Sequence, residues 1–371
     1  METIDKYIIF CAERKIFVFD TESNTHTVTN ILQIARKQTN TCKSDNNCTI
    51  GDNKYEGFCP NYLTAISKCK GILFAISTSS DKFLYIYEFN NGLLKVISTH
   101  QLARSPSSIK FTPDAEGVLV ADKTGDCYIY ECRSETGGKW ILGHCSMVLD
   151  ILMSKCSRFI VTCDRDEKIR VTNFPKTEEI ETYCLGHLEF VSGIVEISHP
   201  NKNRLVSISG DKTMRLWNHA NGCEEACVDL KAPAFQLVYN DERNLLAVSM
   251  FSERTSIGIY KIDKLETGIQ IKKYAEHAIS ENVKYISSMA VTSEDCVWLL
   301  CQGNDDELLM KKILLTNGGV IESDIDYLTN ITSSIKLNIP EDISILFKKK
   351  VDNMKDYHAR KKQRLIEKKS K

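Results

Sequence analysis

Residues 186–217 read GHLEFVSGIVEISHPNKNRLVSISGDKTMRLW. A Gly-His pair opens the stretch. Apolar runs separated by polar turns follow, and the last run closes on Trp217, six residues after the turn residue Asp211. The same spacing recurs along the chain. Asp81 leads to Tyr87 in DKFLYIY, Asp166 to Thr172 in DEKIRVT and Arg254 to Tyr260 in RTSIGIY. Tyr130 ends GDCYIY after what reads as a longer turn beginning at Asp122. Positions 87, 130, 172, 217 and 260 are 42 to 45 residues apart, and Gly143-His144 precedes Gly186-His187 by 43.

A strand–turn–strand unit repeated about every 40–45 residues is the signature of a WD-repeat blade. Two weaker units extend the series: residues 6–20, a hairpin ending in IFVFD, and residues 288–315, three apolar runs between polar turns. About seven units predict an all-β, seven-bladed WD-repeat β-propeller. The propeller is expected over residues 1–347, with a polar insertion at about 33–57, and residues 348–371 as a basic, helical C-terminal tail. Closure of the ring is expected to pair an N-terminal strand with C-terminal strands, which removes free sheet edges.

In such a blade the His precedes the innermost strand and bonds a Ser or Thr, a turn Asp and a Trp. His187, Ser207, Asp211 and Trp217 supply all four. The preceding repeat offers His144, Thr162 and Asp166, with Thr172 in the Trp place. These groups are expected to satisfy one another's buried polar atoms. His187, Asp211 and Ser207 are also the residue types of a hydrolase triad, but no G-x-S-x-G elbow surrounds the Ser.

Composition excludes other classes. Of 371 residues 42% are hydrophobic and 26% charged, and the net charge is -1, so neither a disordered chain nor a globally basic nucleic-acid binder is described. The charge is uneven: residues 348–371 hold 11 Lys/Arg and 3 Asp/Glu, a net of +8, which leaves -9 on the body. No run of about 18 apolar residues occurs, so no membrane span is expected. The N-terminus lacks a basic n-region, so no secretory signal is expected either, and the sequon at Asn47 is read as idle. The 15 cysteines contain no C-x-x-C pair and are read as reduced, mostly buried small side chains. There is no phosphate loop, Gly-rich dinucleotide turn or H-E-x-x-H. Asp164, Asp166 and Glu167 are interleaved with Arg165, Lys168 and Arg170, which is salt-bridging surface chemistry, not an acid/base pair. No enzyme activity is expected of this chain alone.

Residues 163–171, CDRDEKIRV, followed by 184–192, CLGHLEFVS, resemble the WD-repeat non-catalytic subunits of tRNA (guanine-N7)-methyltransferase, the Wuho family. ADKTGDCYIY (121–130) and KKKVDNMKDYHARKKQRLIEKK (348–369) are similar to the same family. The close resemblance covers about a third of the chain; elsewhere it is that of a propeller. It implies a stabilising subunit whose partner, a Rossmann-fold enzyme, uses S-adenosylmethionine to methylate N7 of guanine 46 in tRNA. The cofactor would then sit in the partner, and a heterodimer would handle tRNA. A generic scaffold, such as a chromatin or ubiquitin-ligase adaptor, is the alternative.

Arg170 resembles the family's interface arginine, although Arg215 occupies the same place in the next repeat, where a basic residue is ordinary repeat usage. Arg165, Asp166, Glu167 and Lys168 make this turn more charged than Gly210–Thr213, and Asp166 is expected to serve both as turn aspartate and as orienter of Arg170. Lys123 stands in the corresponding turn of the preceding repeat. Residues 351–369 are rich in helix formers but carry few apolar residues, so the tail is expected to order on the partner or on tRNA. Lys361, Lys362, Arg364, Lys368 and Lys369 are the expected phosphate contacts, and the same run suits nuclear import.

Overall fold

The computed structural model describes residues 1–30, 60–325 and 345–347, less residues 5, 13–14, 24, 69–70, 199–203, 253, 267, 293 and 317–318. The described residues form 28 strands, β1 to β28, in seven four-stranded sheets. The sheets are β1–β4 (2–30), β5–β8 (60–101), β9–β12 (106–143), β13–β16 (148–184), β17–β20 (191–229), β21–β24 (234–278) and β25–β28 (283–324). Each is an up-and-down antiparallel blade in chain order. The chain divides into compact units Met1–Pro340 and Glu341–Lys371. All the strands belong to the first, and in the second residues 345–347 form a single turn. The expected insertion at 33–57 and the basic tail at 348–371 lie outside the described residues.

The core is a ring of seven cores, one between each pair of neighbouring blades. The fourth and fifth blades, for example, bury Val161, Ile169, Val171, Ile194, Leu205 and Trp217 against each other. A sheet covered on both faces has no solvent side, so its middle strands read as unbroken apolar runs. Gly117–Asp122 (β10) and Phe159–Asp164 (β14) are buried along their whole length, as is Cys296–Gly303 (β26). The outermost Cys223–Asp229 (β20) has no buried residue.

The ring closes differently from expectation. Among the described residues the first blade is built from residues 2–30 and the last from 283–324, and no strand is exchanged between them. Packing makes the closure instead: Ile8, Phe10, Phe17 and Phe19 of the first blade bury against Trp298, Leu300, Leu308 and Met310 of the last. The Phe19 and Trp298 ring centroids are 5.9 Å apart. The Thr3 hydroxyl donates to the Val291 carbonyl across the same seam at 2.9 Å. Each terminal blade already has four strands with satisfied inner ladders. Buried apolar area, helped by a few hydrogen bonds, therefore seals the joint.

Turns between the second and third strands of each blade share one face with the loops that enter and leave the blade. Backbone hydrogen bonds tie them: Leu102 N to Lys82 O (2.7 Å), Lys123 N to Ser105 O (3.1 Å), Arg165 N to Met147 O (2.9 Å) and Gly210 N to Phe190 O (3.0 Å). The last or next-to-last residue of five such turns lies in the left-handed region, at φ 58° for Lys82, 104° for Gly125, 72° for Glu167, 65° for Lys212 and 62° for Asp306. Gly125 has a second reason to be glycine: a Cβ there would stand 2.6 Å from the His144 and Ser146 carbonyl oxygens.

Candidate functional site

The charged turn Arg165–Lys168 is set by Asp164, the last residue of β14. One Asp164 oxygen accepts the amides of Asp166 (2.9 Å) and Lys168 (3.0 Å). The other faces His144 Nδ1 at 3.0 Å, and His144 Nε2 meets the Thr162 hydroxyl at 2.8 Å. The aspartate of this network is thus Asp164, not Asp166 as the spacing suggested. The two blades differ here: Asp164, at the end of its strand, meets the histidine of the incoming loop, whereas in the next blade that part falls to Asp211, two residues past the end of Arg204–Ser209. Asp122 has the same role in the preceding blade, accepting the amides of Thr124, Gly125 and Asp126. Asp122 therefore precedes Tyr130 by the same interval as Asp164 precedes Thr172, and the turn before Tyr130 is of ordinary length. Burial pushes the Asp164 carboxyl up, but hydrogen bonds from His144 and the Lys168 amide outweigh it and hold it below the usual carboxylate range.

With Asp164 in that role, Asp166 takes no hydrogen bond on its carboxylate among the described residues, and it does not orient Arg170. Arg170, in Ile169–Asn173 (β15), is half-buried. Its Nε donates to the Thr172 hydroxyl (3.2 Å) and its Nη1 to the Gly143 carbonyl (3.0 Å). The sister Arg215, in Thr213–Asn218 (β19), bonds Thr213 through Nε but places Nη1 on the Glu224 carboxylate. Register explains the difference. Glu224 faces Trp217 across β20, and the residue facing Thr172 from Ile180–Cys184 (β16) is Ile180. An isoleucine stands where the next blade has its carboxylate, so Arg170 has no carboxylate partner among the described residues. Arg165 and Lys168 are exposed and equally without one.

Apolar side chains surround these cations. Ile180 and Tyr183 are exposed on β16, and Tyr183 is the direct cross-strand neighbour of Arg170. Leu185 and Leu188, the latter 72% exposed, follow on the loop to the fifth blade. Trp140, 56% exposed on Lys139–Gly143 (β12), donates Nε1 to Asp126 at 3.0 Å, beside the Gly143 whose carbonyl holds Arg170. Trp, Tyr and Arg together on an exposed edge, with uncommitted charge, is the composition of a protein-binding hot spot. Burial also raises the neighbouring Cys127 thiol to about 12, against the opposing charge of Arg170.

The expected residues thus fall together only partly. Arg165, Asp166, Glu167 and Lys168 share one turn, with Arg170 two residues into the following strand, and Lys123 holds the place of Arg165 in the turn of the adjacent blade, half-buried. Lys361, Lys362, Arg364, Lys368 and Lys369 lie outside the described residues. Sequence reading missed Trp140, Ile180, Tyr183, Leu185 and Leu188. The readable signal was an outermost strand, IETYC, carrying apolar residues where its sister, CEEACVD, carries acids.

His187, Ser207, Asp211 and Trp217 form a closed set. His187 Nδ1 meets Asp211 at 2.9 Å and Nε2 meets the Ser207 hydroxyl at 2.8 Å, while Trp217 Nε1 donates to Ser207 at 2.8 Å. The Ser–His–Asp connectivity is that of a hydrolase triad. Ser207 is 0% exposed and its oxygen already accepts from the indole, so no acyl substrate can reach it.

Comparison with known proteins gives the family. The family model described as the tRNA methyltransferase TRM82 WD40 domain matches residues 20–136 and 131–297. A Drosophila mojavensis protein named tRNA (guanine-N(7)-)-methyltransferase non-catalytic subunit wuho is 39% identical over 79% of this chain and 78% of its own length. Proteins of the same name from Aedes aegypti (36%; 80% and 76%) and Drosophila melanogaster (35%; 80% and 73%) are similar. Among solved structures, a chain of a mitotic checkpoint complex superposes with a TM-score of 0.62 at 12% identity, over 82% of this chain and 86% of that one, a likeness of fold alone. The chain belongs to the tRNA methyltransferase TRM82 WD40 family, whose relatives named above are non-catalytic subunits of tRNA (guanine-N7)-methyltransferase.

Proposed function

We propose that this chain is the non-catalytic subunit of a heterodimeric tRNA (guanine-N7)-methyltransferase, and that the edge formed by its third and fourth blades is the dock for the catalytic subunit. The observation that carries the reading is Arg170, rigidly held by Gly143 and Thr172, lacking the carboxylate its sister Arg215 has, and flanked by exposed Trp140, Ile180 and Tyr183. A partner carboxylate aimed at Arg170 would complete the set of donors, and the apolar neighbours would exclude water around it. Arg165, Lys168 and Lys123, with Asp166 and Glu167 between them, would set register and rate of encounter more than affinity.

In this reading the catalytic subunit holds S-adenosylmethionine and performs the transfer to N7 of guanine 46. This chain moves no proton and no methyl group; it holds the partner in a working arrangement and helps present tRNA. The tail residues Lys361, Lys362, Arg364, Lys368 and Lys369 would add phosphate contacts, and their basic run would suit a nuclear location. The test is reconstitution. The catalytic subunit should methylate tRNA markedly faster with this chain than without it, and this chain alone should methylate nothing. A catalytic subunit indifferent to its addition would end the proposal, and methylation by this chain alone would contradict it.

A further inference from the structure

Uncompensated positive charge continues past the docking edge on the same face. Lys82, in the turn of the second blade, and Arg104, in the loop from the second blade to the third, are exposed and have no carboxylate within 4 Å among the described residues. The Lys82 carbonyl accepts the Leu102 amide, and Ser105 beside Arg104 accepts the Lys123 amide, so the two cations lie in consecutive segments leading to the charged turns. Asp81 stands next to Lys82, and Asp126 is held by Trp140. Round the rest of this face most of the described cations are neutralised in place: Arg215 by Glu224, Lys231 by Glu276, Arg254 by Glu281 and Lys284 by Asp306, while Lys15 and Lys212 have no carboxylate partner among the described residues. A body carrying a net of -9 has carboxylates to spare, yet sets none against Lys82 or Arg104.

We propose that Lys82 and Arg104 bind the phosphodiester backbone of the tRNA presented to the docked catalytic subunit; this rests on the docking reading above. Neither segment carries an exposed large apolar side chain, unlike the Arg170 edge. Point charges without an apolar anchor suit phosphates, which position a nucleic acid without reading its bases. A protein partner would need anchors these segments lack.

The test is tRNA affinity of the assembled heterodimer across a salt series, with the double variant Lys82→Ala/Arg104→Ala and, as control, Lys139→Ala at the opposite end of β12. Losing two phosphate contacts should weaken binding roughly ten-fold at low salt and make the slope of log affinity on log salt shallower by roughly 1.4–1.8. Subunit association and melting temperature should not change, and the control should match wild type. An unchanged slope would overturn the proposal. An unchanged slope with weakened subunit association would overturn it in favour of an acidic protein surface. Failure of the docking reading shows separately, as wild-type subunits that do not co-elute, and the salt slope of tRNA binding by this chain alone then still reports on Lys82 and Arg104.

Discussion

Arg170 and Asp211 contrast a side chain proposed for binding with one that serves folding. Truncating Arg170 to Ala removes bonds to Gly143 and Thr172 at a half-exposed site, so stability should change by no more than about 1 kcal/mol. Affinity for the catalytic subunit should fall by about 2 kcal/mol, roughly 30-fold, as titration calorimetry would read it. Asp211 is the reverse case. Burial pushes its carboxyl up, but bonds from His187, Thr213 and the Leu188 amide outweigh this and hold it well below the usual carboxylate range. A carboxyl depressed on folding stabilises the fold above its unfolded pKa of about 4, and that contribution is lost as pH falls further. Asp164 acts in the same sense. Denaturant midpoints measured from pH 6 down to 3 should therefore fall steeply below about pH 4, and more shallowly in Asp211→Asn. The same variant should lose about 2–3 kcal/mol at neutral pH. Equal slopes for both proteins would show that Asp211 is not the group responsible.

At the level of the strand, the edge differs from its neighbour in the residue at one register position. Ile180 on β16 and Glu224 on β20 occupy the same place relative to the arginine two residues before their cross-strand partners. Replacing Ile180, 45% exposed, with Glu should give Arg170 the internal carboxylate that Arg215 has. Folding stability should stay within about 0.5 kcal/mol of wild type. Binding of the catalytic subunit should weaken by about 1–2 kcal/mol, because the guanidinium is then satisfied at home. Restored binding on adding Arg170→Ala to Ile180→Glu would contradict this account, since that double variant lacks the cation altogether. A pull-down series over the three proteins is sufficient.

For the whole ring, stability is distributed over seven interblade cores, and the seam between the first and last blades is held by side-chain packing with a few hydrogen bonds. Trp298→Ala removes the largest ring from that seam and should cost about 3–5 kcal/mol. The measurement is a denaturant melt followed by far-ultraviolet circular dichroism. A lower midpoint with an unchanged slope is expected if the ring unfolds as one unit. A separate early transition would mean that the first blade opens alone.

Periodicity of 42–45 residues, the Gly-His pairs and the His187–Trp217 spacing were enough to determine the seven-bladed architecture. Such features are local: each blade repeats the same strand lengths and turn chemistry, so the pattern is written once per unit. The place of Arg170 in its strand was legible for the same reason, as a residue in a repeat with a recognisable motif. Three things were not. Asp164 and Asp166 are both turn-adjacent acids, and only the position of His144 on the neighbouring loop selects between them. Closure by packing instead of strand exchange depends on whether Glu2–Ile4 (β1) completes the first blade, a contact between distant segments that no local pattern encodes. And the proposed docking edge, Trp140 on one blade beside Arg170 and Tyr183 on the next, exists because two sheets stack. Composition and spacing decide which residues become strands; which side chains meet across the gap between blades is decided by the packing of one sheet on another.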